Sequence, residues 1–325
     1  MTPHALRAGL DRLLDTSILF SFDRSGFLRH AAAFDPDDLA VDLSGRVCLV
    51  TGANSGIGFE TAAGLAERGA TVWMLCRDRG RGEAALRELR RRTGSRRAHL
   101  ATLDVSDPGA IREFASRFTP SRVDVLVHNA GVLPDRRVLS PDGHELTLAT
   151  HVLGPWRLTQ ALLPKLRASA DPRVIFVSSG GMYTQRLSLA DCQWQRRRYD
   201  GVVAYAQTKR MQVVLAQLLA DHLPGGTVSA MHPGWADTPA VRSSLPRFRA
   251  VMQGRLRTPA EGADTVLWLA ASDAARGRSG RFWFDRAERS PHLLPWTRES
   301  KSDRAALRAF CEANSTGHAA RVRAA

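Results

Sequence analysis

Residues 46–58 read RVCLVTGANSGIG. Val47 to Val50 form a short apolar run rich in β-branched residues, the pattern of a parallel strand buried on both faces. The run breaks at Thr51 into Gly52-Ala53-Asn54-Ser55-Gly56-Ile57-Gly58. FETAAGLAERGA (59–70) then resumes with helical periodicity, and Gly69 is the expected cap. A strand, a glycine-rich turn and a helix start together make an anion site. The glycines let the backbone approach a pyrophosphate, and the helix N-terminus offers unpaired N–H groups and a partial positive charge. The spacing is G-x-x-x-G-x-G rather than G-x-G-x-x-G.

On either side, strands and helices alternate. Further strands are expected at 70–76, 98–105, 123–128, 173–179, 227–232 and 280–284, about seven in all, with helical stretches between them. That alternation predicts an α/β fold: a Rossmann-type, doubly wound parallel sheet with helices on both faces and right-handed crossovers. Ligands bind beyond the carboxyl ends of such strands. Gly52, Asp104, Asn129, Ser179 and Pro233 all fall at or just after predicted strand ends. Residues 1–44 read as an N-terminal helical extension, with leucines at helical spacing in LRAGLDRLLDTSILF (6–20). Residues 45–285 form the main domain, and 286–325 are an Arg-, Ser- and Ala-rich tail expected to wrap or fray.

Tyr205 and Lys209 stand four residues apart in the helical run VVAYAQTKRMQVVLAQLLADHL (202–223), so they share one face. A free phenol titrates near pH ~10, too high for a base at neutrality. A neighbouring ammonium favours the phenolate, and roughly 3–4 kcal/mol would bring it near neutral pH. Ser179 ends the fifth strand, where its hydroxyl can donate to a carbonyl oxygen or to the alkoxide it becomes. No histidine is placed to activate it as a hydrolase nucleophile.

With these pieces together the chain resembles a short-chain dehydrogenase/reductase. TGANSGIG matches that family's cofactor motif and Tyr205-Ala-Gln-Thr-Lys209 its active-site motif. Asp104, the run His128-Asn129-Ala130-Gly131, Ser178-Ser179, and Pro233-Gly234 with Thr238 follow in order, over residues 45 to about 285. VSSGGM, MHPGWADTP and GADTVLWLA resemble the branch called dehydrogenase/reductase SDR family member 12-like.

The resemblance implies hydride transfer between a nicotinamide cofactor and a carbonyl or alcohol. Ser179 rather than Ser178 is then the active serine, Tyr205 the acid/base, and Lys209 the group that lowers the Tyr205 pKa and meets the nicotinamide ribose. Gly52, Asn54, Ser55, Gly56, Ile57 and Gly58 would cradle the pyrophosphate. Asp104 and Val105 would meet the adenine edge, Asn129, Ala130 and Gly131 the adenosine side, and Pro233, Gly234 and Thr238 the nicotinamide end. The family usually carries an Asn where LATHVLGPW has His151, which implies an altered proton relay around a group whose charge varies near neutral pH. A dinucleotide-binding module with little catalysis is the alternative that His151 leaves open. Enzymes using NAD tend to carry an acidic residue near Cys76; here Arg77 follows instead, which favours NADP, with NAD as the alternative.

Met182, Tyr183 and Trp235 are the expected substrate contacts, with Trp156, Trp194 and Tyr199 nearby in sequence. They suggest an apolar carbonyl or alcohol, or they only fill the core.

The formal charge is +14, but only three of 46 basic residues are lysines. So lopsided a ratio looks like codon bias spread over helix ends and loops, and no nucleic-acid partner is expected. Peripheral membrane contact through the N-terminal helix and a homo-oligomer are both compatible. The four cysteines, Cys48, Cys76, Cys192 and Cys311, have no paired or metal-binding spacing, so no metal is expected and a reducing, cytoplasmic setting is. No apolar stretch approaches the ~20 residues of a membrane span. Asp11, Asp15 and Asp23 interrupt the N-terminal apolar run, which is therefore not a signal peptide.

Overall fold

The computed structural model describes residues 18–315. Eight strands form one sheet: β1 (Val47–Thr51), β2 (Thr71–Cys76), β3 (Ala98–Thr102), β4 (Val125–His128), β5 (Arg173–Val177), β6 (Thr227–Met231), β7 (Arg281–Phe284) and β8 (Ala287–Glu288). Their order is β3-β2-β1-β4-β5-β6-β7-β8. All pairs are parallel except β7 with β8. The expected doubly wound α/β sheet is therefore present, with one antiparallel strand beyond the seven read from sequence. Asp285 and Arg286 both adopt positive φ (48° and 55°), the turn that a two-residue hairpin needs, and it pairs Phe284 with Ala287.

Alternation along each strand feeds two cores. Leu49, Leu75, Leu126, Val174 and Phe176 face one, and Cys48, Val50, Met74, Val125, Val127 and Ile175 the other. Helices Pro108–Arg117, Gly154–Arg167 and Gly201–Ala220 bury their apolar faces in the first, and helices Gly56–Glu67 and Pro259–Ala271 theirs in the second. Asp78, Asp107 and Asp200 cap three helices through side-chain bonds to backbone N–H groups.

Strand order reverses between β1 and β4, which opens a crevice beyond their carboxyl ends. The strands stop sooner than the apolar runs suggest. β3 ends at Thr102 because the Ser106 N–H and hydroxyl both bond Asp104 Oδ1, at 2.9 and 2.7 Å, and turn the chain. β5 ends at Val177, leaving Ser178 and Ser179 just past the sheet.

Most of the predicted helix 6–20 lies outside the described residues. A short helix Ile18–Phe22 and a second, Arg24–Ala31, fold back onto the carboxyl edge of the sheet, where Trp235 N–H donates to Phe22 O at 2.8 Å. Of the two expectations for the tail, wrapping holds over Lys301–Ala313, a helix packed on helix Gly201–Ala220. Leu307 and Cys311, one turn apart, are both buried, and Ser300 and Asp303 close a capping box. All four cysteines are buried free thiols, with burial pushing Cys48 and Cys311 up to about 12. Among the described residues no group of side chains could hold a metal, and no helix is long and apolar enough to cross a membrane.

Candidate active site

Helix Gly201–Ala220 carries Tyr205 and Lys209 past the end of β5. The buried Ser178 hydroxyl donates to Lys209 O at 2.8 Å and ties helix to strand end. That leaves Ser179 to face Tyr205, near enough for its hydroxyl to favour the phenolate. Lys209 is buried; its ammonium donates to Val177 O at 2.8 Å and to Gln212 Oε1 at 3.0 Å, and lies 5.4 Å from the Tyr205 ring centroid.

Electrostatically the pair departs from the sequence reading. Burial raises the Tyr205 phenol above its ordinary value, opposed by the Ser179 hydroxyl. Burial also depresses Lys209 to about 7. Both groups are withdrawn from water, so desolvation outweighs the expected downward pull of Lys209 on the phenol.

His151 sits in a π-helical turn, Ala149–Leu153, that leads into helix Gly154–Arg167. Val132 N–H donates to His151 Nε2 at 3.0 Å. The proton is thereby assigned to Nδ1, which donates to Thr208 Oγ1 at 2.8 Å; that hydroxyl donates in turn to Tyr205 O at 2.9 Å. The ring meets the Tyr205 ring edge-on, with centroids 5.3 Å apart. Burial and the Lys209 charge hold it neutral, well below its ordinary value. The expectation of a variable charge near neutral pH is therefore wrong, and both ring nitrogens are already engaged.

On the nucleotide side, Thr51 and Asn129 lock the glycine-rich turn to β4. Asn129 N–H and Ala130 N–H each donate to Thr51 Oγ1 at 3.0 Å, and Asn129 Nδ2 donates to Thr51 O at 2.9 Å. Gly58 is required by contact, since a Cβ there would stand 2.3 Å from Asn129 Nδ2 and 2.5 Å from Gly52 O. Ser55 is the N-cap of helix Gly56–Glu67 but makes no side-chain capping bond, so first-turn N–H groups stay available beside Asn54, Gly56 and Ile57. Arg77, just past β2, is exposed, whereas Cys76 is buried. Asp104 is partly exposed and Val105 buried beneath it, with Gly131 exposed nearby in the crevice wall. Across the crevice, Thr238 Cγ2 lies 3.3 Å from where a Cβ on Gly56 would be, and Pro233 and Gly234 are partly exposed.

Two of the three expected substrate contacts are core residues. Met182 and Tyr183 are buried in the turn Gly180–Thr184, and the Tyr183 hydroxyl donates to Ser290 O at 3.1 Å. Phe22, from the N-terminal segment, packs on the Tyr183 ring. Trp235 keeps part of its ring exposed, edge-on to Phe22 and Phe248. Trp156 is buried, and Trp194 and Tyr199 pack on each other. Sequence reasoning missed Thr51, Thr208, Gln212 and Phe22. The first three sit inside or one turn from quoted motifs, but Phe22 gives no local signal.

The short chain dehydrogenase family profile matches residues 46–247. The chain belongs to the short-chain dehydrogenase family. It is 47% identical over 277 residues to human Dehydrogenase/reductase SDR family member 12, covering 85% of this chain and 87% of that relative. Mouse Retinol dehydrogenase 11 is 36% identical over 256 residues, covering 75% of this chain and 79% of the relative. A crystal structure of an Escherichia coli short chain dehydrogenase complexed with NADPH superposes with a TM-score of 0.63 at 29% identity, covering 78% of this chain and 100% of that one. This short-chain dehydrogenase falls in the SDR family member 12-like branch and is an NAD(P)-dependent oxidoreductase.

Proposed function

We propose that this short-chain dehydrogenase interconverts a carbonyl and an alcohol on an apolar substrate, with NADP as cofactor and Tyr205 as general acid and base. The observation that carries the reading is the convergence of Ser179, just past β5, with Tyr205 and buried Lys209 on the helix that Ser178 ties to that strand end. When bound, the nicotinamide ring supplies or takes a hydride. The Ser179 hydroxyl donates to the substrate oxygen and holds its growing charge during reduction. Tyr205 delivers a proton to that oxygen, or removes it in the reverse direction. Burial keeps the phenol protonated, which suits a donor. Lys209 spends two N–H bonds on Val177 O and Gln212, leaving a third for the ribose hydroxyls. His151 positions Tyr205 through ring contact and through Thr208.

The chain's own residues fit a dinucleotide. The free N–H groups at Gly56–Ile57 supply donors for a pyrophosphate, while Gly58 lets Asn129 and Gly52 close up behind the turn. An exposed Arg77, where an acidic side chain would serve NAD, supports pairing with a 2′-phosphate. Asp104, Val105, Asn129, Ala130 and Gly131 would line the adenosine side, and Pro233, Gly234 and Thr238 the nicotinamide end. In this reading residues 45–285 carry the chemistry, and 1–44 and 286–325 are additions to it.

The test is a thermal-shift comparison of NADPH and NADH followed by a carbonyl panel. NADPH is expected to give the larger shift, and Arg77→Glu to reverse the order. Tyr205→Phe should lose roughly 10²–10⁴-fold in turnover and keep its NADPH shift. Full turnover in that variant, or a wild-type preference for NADH, sinks the respective assignment.

A further inference from the structure

The segment before the first strand packs against Gly180, the residue that follows Ser179. Phe22 closes the helix Ile18–Phe22 and is 7% exposed. Its ring lies 4.4 Å from His232, 5.2 Å from Phe284, 5.8 Å from Trp235 and 6.2 Å from Tyr183, centroid to centroid. Gly180, the residue after Ser179, makes room for it: a Cβ there would stand 2.7 Å from Phe22 Cε2. The ring thus sits against the backbone next in the chain to the serine assigned to the substrate oxygen.

A fully buried guanidinium fixes this placement. Arg257 Nε donates to Phe22 O at 3.0 Å and Asp23 O at 3.1 Å, Nη2 to Ser21 O at 2.9 Å, and Nη1 to Pro233 O at 3.4 Å. Both terminal nitrogens also bond Asp285, at 2.6 and 2.9 Å, and His30 Nδ1 meets the same carboxylate at 2.6 Å. Burying a charge is costly unless it is fully paired. Here the pairing joins the N-terminal segment to the loop at the proposed nicotinamide end.

We propose that Phe22 is a specificity-determining residue: held by Arg257, its ring closes the substrate site beside Ser179 and sets the length of apolar chain the site accepts. The inference rests on the proposed function for where the substrate carbonyl sits. None of the residues that clamp Phe22 takes part in proton transfer, so its effect belongs to recognition rather than chemistry.

The test uses the NADPH-loaded enzyme and straight-chain primary amides from butanamide to dodecanamide, which keep a carbonyl but are not reduced in place of an aldehyde. Binding is measured by calorimetry for wild type, Phe22→Leu and Phe22→Ala, with the exposed Leu28→Ala on the same segment as control. Phe22→Ala is expected to bind the longer amides about tenfold tighter than wild type. Phe22→Leu should fall between, while short amides and NADPH change by less than about twofold. Phe22→Leu carries the comparison if the alanine variant fails to fold. An unchanged length profile in variants that bind NADPH overturns the proposal, as does a wild type that binds none of the amides. Matching aldehydes are assayed in parallel. A shifted amide profile without aldehyde turnover would remove the role given to Tyr205 and leave the wall assignment standing.

Discussion

Lys209 shows how a reactive group is kept at a thermodynamic cost. Burial brings it from its ordinary 10.5 to about 7. Between those values the unfolded chain binds a proton that the folded chain has released, so stability rises with pH across that window and is lowest below it. Lys209→Met should therefore abolish turnover and yet raise stability by about 2 kcal/mol at pH 7, after allowing for the orphaned Val177 carbonyl. The gain should vanish by about pH 10. Thermal melts of both proteins across pH would check this, and parallel curves would reject it. That Tyr205 and Lys209 share a face was readable from their spacing, because helix geometry fixes it. Their protonation was not, because desolvation depends on what covers them. His151 makes the same point. Its position was marked by a departure from motif, but its neutral tautomer depends on Val132 and Thr208, which only the fold brings to it.

Strands and helices were readable where a segment's own pattern decided its state. β1, β4 and β5 announce themselves as apolar runs, and the turn after β1 follows from its glycines. Their ends were less so, since side-chain turns such as that of Asp104 and Ser106 cut strands short. The C-terminal helix Lys301–Ala313 was hidden because alanines and charged residues fill it and only Leu307, Phe310 and Cys311 carry the apolar stripe. It packs on helix Gly201–Ala220, and Arg157, 4% exposed, donates to Asn314 O at 2.9 and 2.6 Å. Ending the chain before Ser300 should therefore cost about 4 kcal/mol, from two lost buried side chains and a guanidinium left with Asp142 alone. Denaturant melts of the shortened chain would measure it, and an unmoved midpoint would mean the helix is ornamental.

For the molecule entire, three buried imidazoles dominate the response to acid. Burial depresses His128 and His232 to about 3 and holds His151 well below its ordinary 6.5. The unfolded chain protonates all three near 6.5, so stability is intact above that pH and declines below it, by ~4 kcal/mol per pH unit. Ordinary domains have only about 5–15 kcal/mol in hand. Cooperative unfolding is thus expected by roughly pH 5, and the most stable pH should lie on the alkaline side, where Lys209 is also relieved. Circular dichroism melts taken stepwise from neutrality downward would test it; a flat profile to about pH 4 would refute it. The parallel, doubly wound sheet followed from alternation alone; its strand order and switch point came only with the fold. The role of the first described residues did not, because it depends on Arg257, over two hundred positions away. That bracket bears on chimeras between relatives. Three of its acceptors are backbone carbonyls of residues 21–23 and its counter-ion is Asp285. A leader trimmed off at the first strand would take those three acceptors away and leave the guanidinium to Asp285 and the Pro233 carbonyl; a leader from another chain need only return its backbone to the same three places.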